Sequence, residues 1–182
     1  MEVKARVADL QSCRALLRKM GGGRVGSFRQ VDTYFAVSRG RLKIRESDRG
    51  GSLLVYYVRE NIRGPKVSDV YLAPLSDPKA VKTVLSQVLG VGCVVKKRRE
   101  IFRLRGIQVH LDHVEGLGSF IELEKNVAAD VMATARTRKQ LGVLLKKLGV
   151  PQRNLQRASY RELLMSGGLP LHQPCNHDRY AF

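Results

Sequence analysis

Alternation of apolar and ionic residues governs much of the chain. In the opening stretch Val3, Ala5 and Val7 alternate with Glu2, Lys4 and Arg6, the period-two pattern of a strand with one apolar and one polar face. The pattern then changes to helical spacing, with Leu10, Cys13, Leu16, Leu17 and Met20 on one face, Asp9 placed to cap the start and Gly21 to stop it. Strand patterns return in RQVDTYFAV, RLKIRES, SLLVYYVRE and KVSDVYLA, separated by the turn signals SRG, SDRGG and NIRGP. A second helix is predicted in SDPKAVKTVLSQVLG, with Ser76 as N-cap, Pro78 in the first turn and Gly90 at the end. VVKKRREIFRL, IQVHLDHV and SFIELEK follow as strands, the first two turning at Arg105-Gly106 and the last two across EGLG. Helices in ADVMATARTRKQLGVLLKKLG and SYRELLMS complete a domain over residues 1–166, and the tail over 167–182 reads as extended or disordered.

About eight strands in mostly consecutive antiparallel order predict an α+β fold built on a closed eight-stranded antiparallel β-barrel with surrounding helices, since closure removes exposed edges. The faces of those strands are unusual. Arg41, Lys43 and Arg45 alternate with Leu42 and Ile44. Gln108, His110 and Asp112 alternate with Val109 and Leu111, and Phe120, Glu122 and Glu124 with Ile121 and Leu123. VVKKRRE offers Lys97 and Arg99 in one register and Lys96 and Arg98 in the other. Any one of these strands could be a solvated outer face. Together they segregate acids to the first and last strands and bases to those between, which suggests a lined interior with the apolar faces turned outward beneath helices.

Composition sets the sign of the partner. With 33 Lys and Arg against 16 Asp and Glu, the 182-residue chain carries a formal charge of +17, which favours polyanions without choosing among them. Nucleic acid is the less favoured choice, because the chain has no Trp, an aromatic content of 6% and no interleaved aromatic-basic motif. No apolar run is long enough to span a bilayer and no signal-like N-terminus is present, so the expectation is a soluble cytoplasmic protein without a membrane partner, monomeric or homodimeric. Cys13, Cys93 and Cys175 are odd in number, widely spaced and outside any CxxC pairing, which supports neither a disulfide framework nor a zinc site.

An interior of this kind has two chemical halves. Arg41, Lys43, Arg45, Arg59, Lys66, Lys97 and Arg99, with Lys4 and Arg6 from the first strand, supply guanidinium and ammonium donors for a phosphate chain. Glu2, Glu122 and Glu124, with Asp112 beside them, supply hard oxygen ligands for Mg²⁺ or Mn²⁺. His110, pointing inward beside Asp112, is expected to complete a hydrogen-bond network. Tyr34, Tyr56, Tyr57 and Tyr160 are expected to pack, Tyr160 as a contact from helix to barrel.

The ordered set EVKARV, QVDTYF, RLKIRE, VVKKRRE, HLDHVEGLGSFIELE and SYRELL resembles the CYTH domain, or triphosphate tunnel metalloenzyme, family over roughly residues 2–165. The family includes class IV adenylyl cyclases, thiamine triphosphatases and tripolyphosphatases. The resemblance implies an eight-stranded antiparallel tunnel that binds a triphosphate group with divalent cations. Glu2 and Lys4 match the later acid and the lysine of the family's ExExK signature, whose first acid would precede Met1. Lys43 with Arg45, and Lys97 with Arg99, match its basic pairs, and Lys66 a further phosphate-binding lysine. Asp112 matches the acid before the GLG turn, and Glu122 and Glu124 the paired metal-binding carboxylates. The catalytic set so implied is Glu2, Lys4, Glu122 and Glu124, with Glu2, Glu122, Glu124 and Asp112 as metal ligands. The expected function is a metal-dependent phosphohydrolase acting on an inorganic or organic triphosphate. Two alternatives stand beside it: cyclisation of ATP to cyclic AMP, and a non-catalytic module binding polyanion or nucleic acid.

Overall fold

The computed structural model describes residues 1–127 and 130–167; the tail expected to be extended lies, past Gly167, outside the described residues. The strands are β1 (Glu2–Arg6), β2 (Gly23–Phe35), β3 (Arg41–Ser47), β4 (Ser52–Arg59), β5 (Ser68–Leu75), β6 (Val91–Leu104), β7 (Ile107–Val114), β8 (Gly118–Glu124) and β9 (Leu155–Gln156). Among the described residues the helices are α1 (Leu10–Lys19), α2 (Pro78–Leu89), α3 (Val131–Lys147) and α4 (Tyr160–Ser166).

All strands join one strongly curled antiparallel sheet in the order β5-β4-β3-β2-β6-β7-β8-β1-β9. The expectation of a closed eight-stranded barrel is therefore corrected to an open half-barrel of nine strands. The reason lies at the outer edge of β1. Lys4 and Ala5 pair there with Gln156 and Leu155 of β9, which occupies the position β5 would need to close the ring. Across the remaining seam Lys66 exchanges both backbone hydrogen bonds with Glu2 at 2.9 Å. Two residues of strand after a 3-10 turn give too short a pattern to read from sequence.

Local chemistry explains the helix boundaries. Asp9 accepts from the backbone N–H groups of Gln11 and Ser12 at 2.8 and 2.7 Å and so satisfies two of the unpaired donors that open α1. In α2 the capping side chain is Asp77, which accepts from the Ala80 N–H at 2.9 Å, not the expected Ser76. The β6–β7 hairpin turns on Arg105 and Gly106, both at positive φ (51° and 75°), as a two-residue turn of matching twist requires.

The apolar strand faces do point outward beneath helices. Val3, Ala5, Val109, Leu111, Ile121 and Leu123 form the convex face of the curl and bury against Leu17 of α1 and Leu141, Leu144 and Leu145 of α3. Burying each of these Val, Leu and Ile side chains contributes about 1.5–3 kcal/mol, so this layer holds the curl and leaves the other face for charge. On the concave side a smaller cluster of Tyr34, Val55, Tyr57, Val95, Val114, Phe120 and Tyr160 fills one end. There α4 is fixed by a reciprocal cap between Ser159 and Glu162.

Candidate active site

Cross-strand register decides which charges meet on the concave face. Asp32 lies opposite Arg45 on β3, one pleat from Lys43, and Lys97 of β6 reaches it from the other side. Lys43 Nζ and Lys97 Nζ donate to Asp32 Oδ2 at 2.8 and 2.7 Å, and Arg45 donates through Nε and Nη2 at 2.7 and 3.0 Å. Three cations thus converge on a carboxylate that is 1% exposed. Burial works against the charged carboxylate, but Lys43, Lys97 and Arg45 outweigh it and hold its pKa well below the usual range. Burial also pushes the lysines down, Lys97 to about 8 against the pull of Asp32, and Lys43 further with the help of Arg45. Asp32 was absent from the residues singled out in the sequence. Its alternation with Gln30 and Tyr34 in QVDTYF placed it on the charged face, but nothing local marked it as the partner of three bases.

A second group forms on β6, β7, β8 and β1. Arg99 clasps Asp112 with Nε and Nη2 at 2.8 and 2.6 Å, and the Tyr160 hydroxyl donates to the same carboxylate at 2.8 Å. Lys4 Nζ sits 3.0 Å from Glu122 Oε2 and 3.9 Å above the Tyr160 ring. Burial opposes ionisation of Glu122, yet Lys4 and Arg99 keep its pKa well below normal. For Tyr160, burial and the neighbouring carboxylates raise the hydroxyl well above its ordinary value, so it acts as a donor.

Next to this group, ligand atoms of His110, Glu122 and Glu124 lie within 4.8 Å of one another. Glu124 is also directly opposite Glu2 across the β1–β8 ladder, a like-charge neighbour that costs energy unless a cation sits near. Two carboxylates and an imidazole fit Mn²⁺ or Mg²⁺, the imidazole suiting Mn²⁺ better. His110, expected only to complete a network, bonds weakly to Glu122 and Gln108 at 3.4 and 3.5 Å and joins the donor set. Asp112 is engaged elsewhere, with both oxygens on Arg99 and Tyr160.

Not all the expected bases reach the same space. Glu2, Lys4, Lys43, Arg45, Arg59, Lys97, Arg99, Glu122 and Glu124 line one cavity of about 190 Å³, together with Asp32, Tyr34, Tyr57 and Tyr160. Its other wall is apolar, formed by Leu53, Val55, Val70 and Leu72 of β4 and β5. Arg59 pairs with Glu2 at 3.1 Å. Lys66 is 2% exposed, and its Nζ donates to the carbonyls of Ile62, Gln156 and Arg157 at 2.9, 3.1 and 3.2 Å. Burial and the nearby Arg59 lower it to about 8. Lys66 therefore clamps the seam between the two edges of the sheet. Arg41 is held by Glu162 of α4 and by Asn61 at 2.5 and 2.7 Å. Arg6 lies at the opposite rim, donating to the Leu117 carbonyl at 2.5 Å and stacking on Phe120.

Among the described residues no helix is long and apolar enough to cross a membrane. The CYTH domain family model matches residues 1–160. A protein of Methanocaldococcus jannaschii provisionally named an adenylate cyclase is 29% identical over 178 residues, covering 90% of this chain and 97% of that one. A solved structure from Pyrococcus horikoshii OT3 superposes with a TM-score of 0.79 at 24% identity, covering 90% of this chain and 98% of that one. A Hippeastrum structure, of a protein provisionally named an adenylyl cyclase and described as having a dominant triphosphatase activity, has a TM-score of 0.64 at 18% identity, covering 97% of this chain and 99% of that one.

Proposed function

Since the chain belongs to the CYTH domain family, we propose that it is a metal-dependent phosphohydrolase that binds the triphosphate group of an inorganic or organic triphosphate on its concave face. The observation that carries this reading is the convergence of Lys43, Arg45 and Lys97 on one carboxylate, with every contact at 3.0 Å or less. Donors so aimed suit the oxygens of a phosphoryl group, which takes hydrogen bonds from the same fork and point charges. Asp32 holds them in place in the meantime. Lys4, Arg59 and Arg99 extend the cationic track toward Glu122 and Glu124, so a phosphate chain lies between the bases and the metal-binding acids.

In the hydrolytic step the oxygen of a water forms a bond to phosphorus while the anhydride P–O bond breaks. The departing phosphate keeps the electron pair and water's proton leaves to solvent or phosphate oxygen. Lys43, Arg45, Lys97 and Arg99 stabilise the charge that gathers on the phosphate oxygens, which is the main demand of phosphoryl transfer. Glu122, Glu124 and His110, with Glu2 beside them, would hold Mg²⁺ or Mn²⁺. When bound, the ion supplies Lewis-acid polarisation of a phosphate oxygen and a more acidic water.

A second reading, cyclisation of ATP, is favoured by the name of the Methanocaldococcus jannaschii relative and by the apolar wall of Leu53, Val55, Val70 and Leu72, which suits an organic group. The Hippeastrum protein's triphosphatase description favours hydrolysis. Purified protein incubated with tripolyphosphate, thiamine triphosphate and ATP, each with Mg²⁺ or Mn²⁺, is expected to release phosphate from at least one. Cyclic AMP and pyrophosphate as the only products from ATP would support the second reading, and no product from any substrate would refute both.

A further inference from the structure

A concavity of about 500 Å³ lies on the other face of the sheet, where α1 crosses β2, β6 and β7. Arg14, Arg18, Arg24 and Arg98 line it with His113, and a single acid, Glu100, stands among them. Four guanidinium groups against one carboxylate leave a formal excess of three positive charges.

The cavity has a built centre. Glu100 accepts from Arg14 Nε at 2.8 Å on one oxygen and from Arg24 Nε at 2.7 Å on the other. Burial works against its charge, but those hydrogen bonds prevail and lower its pKa. Each arginine engages Glu100 through Nε, and among the described residues the terminal Nη groups of Arg14 and Arg24 donate to no protein acceptor. A bulge in β2 makes this arrangement possible. Arg24 pairs with Phe102 and Gly26 with Ile101, leaving Val25 as the extra residue. Arg24 and Ser27, three positions apart and so on opposite faces of a regular strand, both face outward with Glu100 as a result.

The neighbouring positions raise the cost of leaving this surface without an anion. Arg98 is directly opposite Arg29 on β2 and directly opposite His113 on β7, a row of basic side chains across three strands that is unfavourable without a counter-charge. Arg98 has no carboxylate partner among the described residues, and its Nε contact is with Ser27 Oγ at 3.5 Å. Arg18, in the last turn of α1, likewise has none.

We infer that this arginine cavity is a second binding site, separate from the concave face, for a short phosphoryl chain: inorganic pyrophosphate or the diphosphate of a nucleotide. The charge excess matches two phosphoryl groups, Nη forks match their oxygens, and a single half-open concavity of about 500 Å³ suits a short anion better than a continuous nucleic-acid strand, which needs an extended groove.

The test uses isothermal titration of the full chain with inorganic pyrophosphate in EDTA, comparing the natural sequence with Arg18→Glu/Arg98→Glu and with the milder Arg18→Gln/Arg98→Gln. Both positions are exposed and neither holds Glu100, so circular dichroism and triphosphate hydrolysis are expected to be unchanged. The natural chain should take up one more pyrophosphate than the Glu variant, with that site weakened about a hundredfold by charge reversal, and the Gln variant should fall between. Parallel titration with ADP identifies the source: preference for ADP supports the proposal with a nucleotide as ligand, and preference for pyrophosphate supports it with the free anion. Equal stoichiometry and affinity in all three proteins would overturn it. So would tight binding of single-stranded RNA that pyrophosphate fails to displace and the Glu variant abolishes, which would make the surface a nucleic-acid contact.

Discussion

Replacing Asp32 with Asn tests the centre of the site, because one carboxylate compensates three cations there. The amide keeps one acceptor oxygen of the two that now receive Lys43, Lys97 and the Arg45 fork, and its NH₂ confronts ammonium groups with another donor. Removing one member of a buried ion pair costs about 3–5 kcal/mol, which in a domain of this size lowers Tm by roughly 6–20 °C. The loss should depend on pH. Burial already sets Lys97 at about 8 and Lys43 well below its ordinary value, so at pH 9 the lysines shed protons and part of the penalty disappears. Thermal melts at pH 6.5 and pH 9 should therefore show a larger gap between Asp32→Asn and the natural protein at the lower pH. Added tripolyphosphate, supplying the missing negative charge, should raise Tm more in the variant than in the parent. A gap below about 1 kcal/mol, equal at both pH values, would refute the idea that Asp32 is the internal counter-ion of these bases.

Lys97 also separates stability from binding. Its folded-state pKa of about 8 lies below the unfolded value of about 10.4, so between those values the unfolded chain binds more protons and this residue makes stability rise with pH. Triphosphate affinity needs the ammonium form and should fall above pH 8. Stability and affinity that decline together in the natural protein, with no flatter stability slope in Lys97→Met, would contradict the assignment. In the group proposed to hold the metal, Glu122→Gln and Glu124→Gln should each lower Mn²⁺-dependent turnover about a hundredfold or more. Glu2→Gln should cost less, since Glu2 is paired with Arg59; the reverse ranking in steady-state assays would move the metal toward β1. Glu162, lowered to about 2 mainly by the Ser159 N–H, Arg41 and Asn61 against the cost of burial, stabilises α4 above its unfolded pKa and loses that contribution as pH falls toward 2. After allowance for its partial exposure the effect is about 1 kcal/mol; Glu162→Gln should flatten acid denaturation followed by tyrosine fluorescence, and an unchanged curve would contradict it.

Strand alternation carried the faces of the sheet legibly. Arg45, Lys97 and Glu122 could be assigned to the charged side, and Val3, Leu111 and Ile121 to the side under helices, because a side chain's face depends only on its own strand. Which charges become partners depends on register between strands, and that information is not local. For this reason Asp32, seven residues into an unremarkable polar stretch after Val25, escaped notice, and so did the clamp that holds Lys66 on three carbonyls. Closure is less local still. Whether the curl shuts depends on what occupies the outer edge of β1, and the two residues of β9 that occupy it look like loop. His110 joined the donor set only once β7 and β8 were aligned to set it opposite Glu122.

The bridge between Glu2 and Lys66 has a kinetic side. From β5 round to β1 every pair of adjacent strands shares a ladder of at least five residue pairs, whereas parting the seam breaks two backbone hydrogen bonds, the contacts of Arg59 with Glu2 and the Arg157 carbonyl, and the lysine's grip on Ile62, Gln156 and Arg157. The wall can therefore breathe along that line more cheaply than along any of these ladders, in a local opening well short of global unfolding. A substrate whose phosphate chain is anchored on Lys43, Arg45 and Lys97 could swing a bulky organic group through that slit instead of threading it along the axis. The width of the passage then becomes a dynamic quantity, readable as early deuterium uptake at the amides of Glu2 and Lys66.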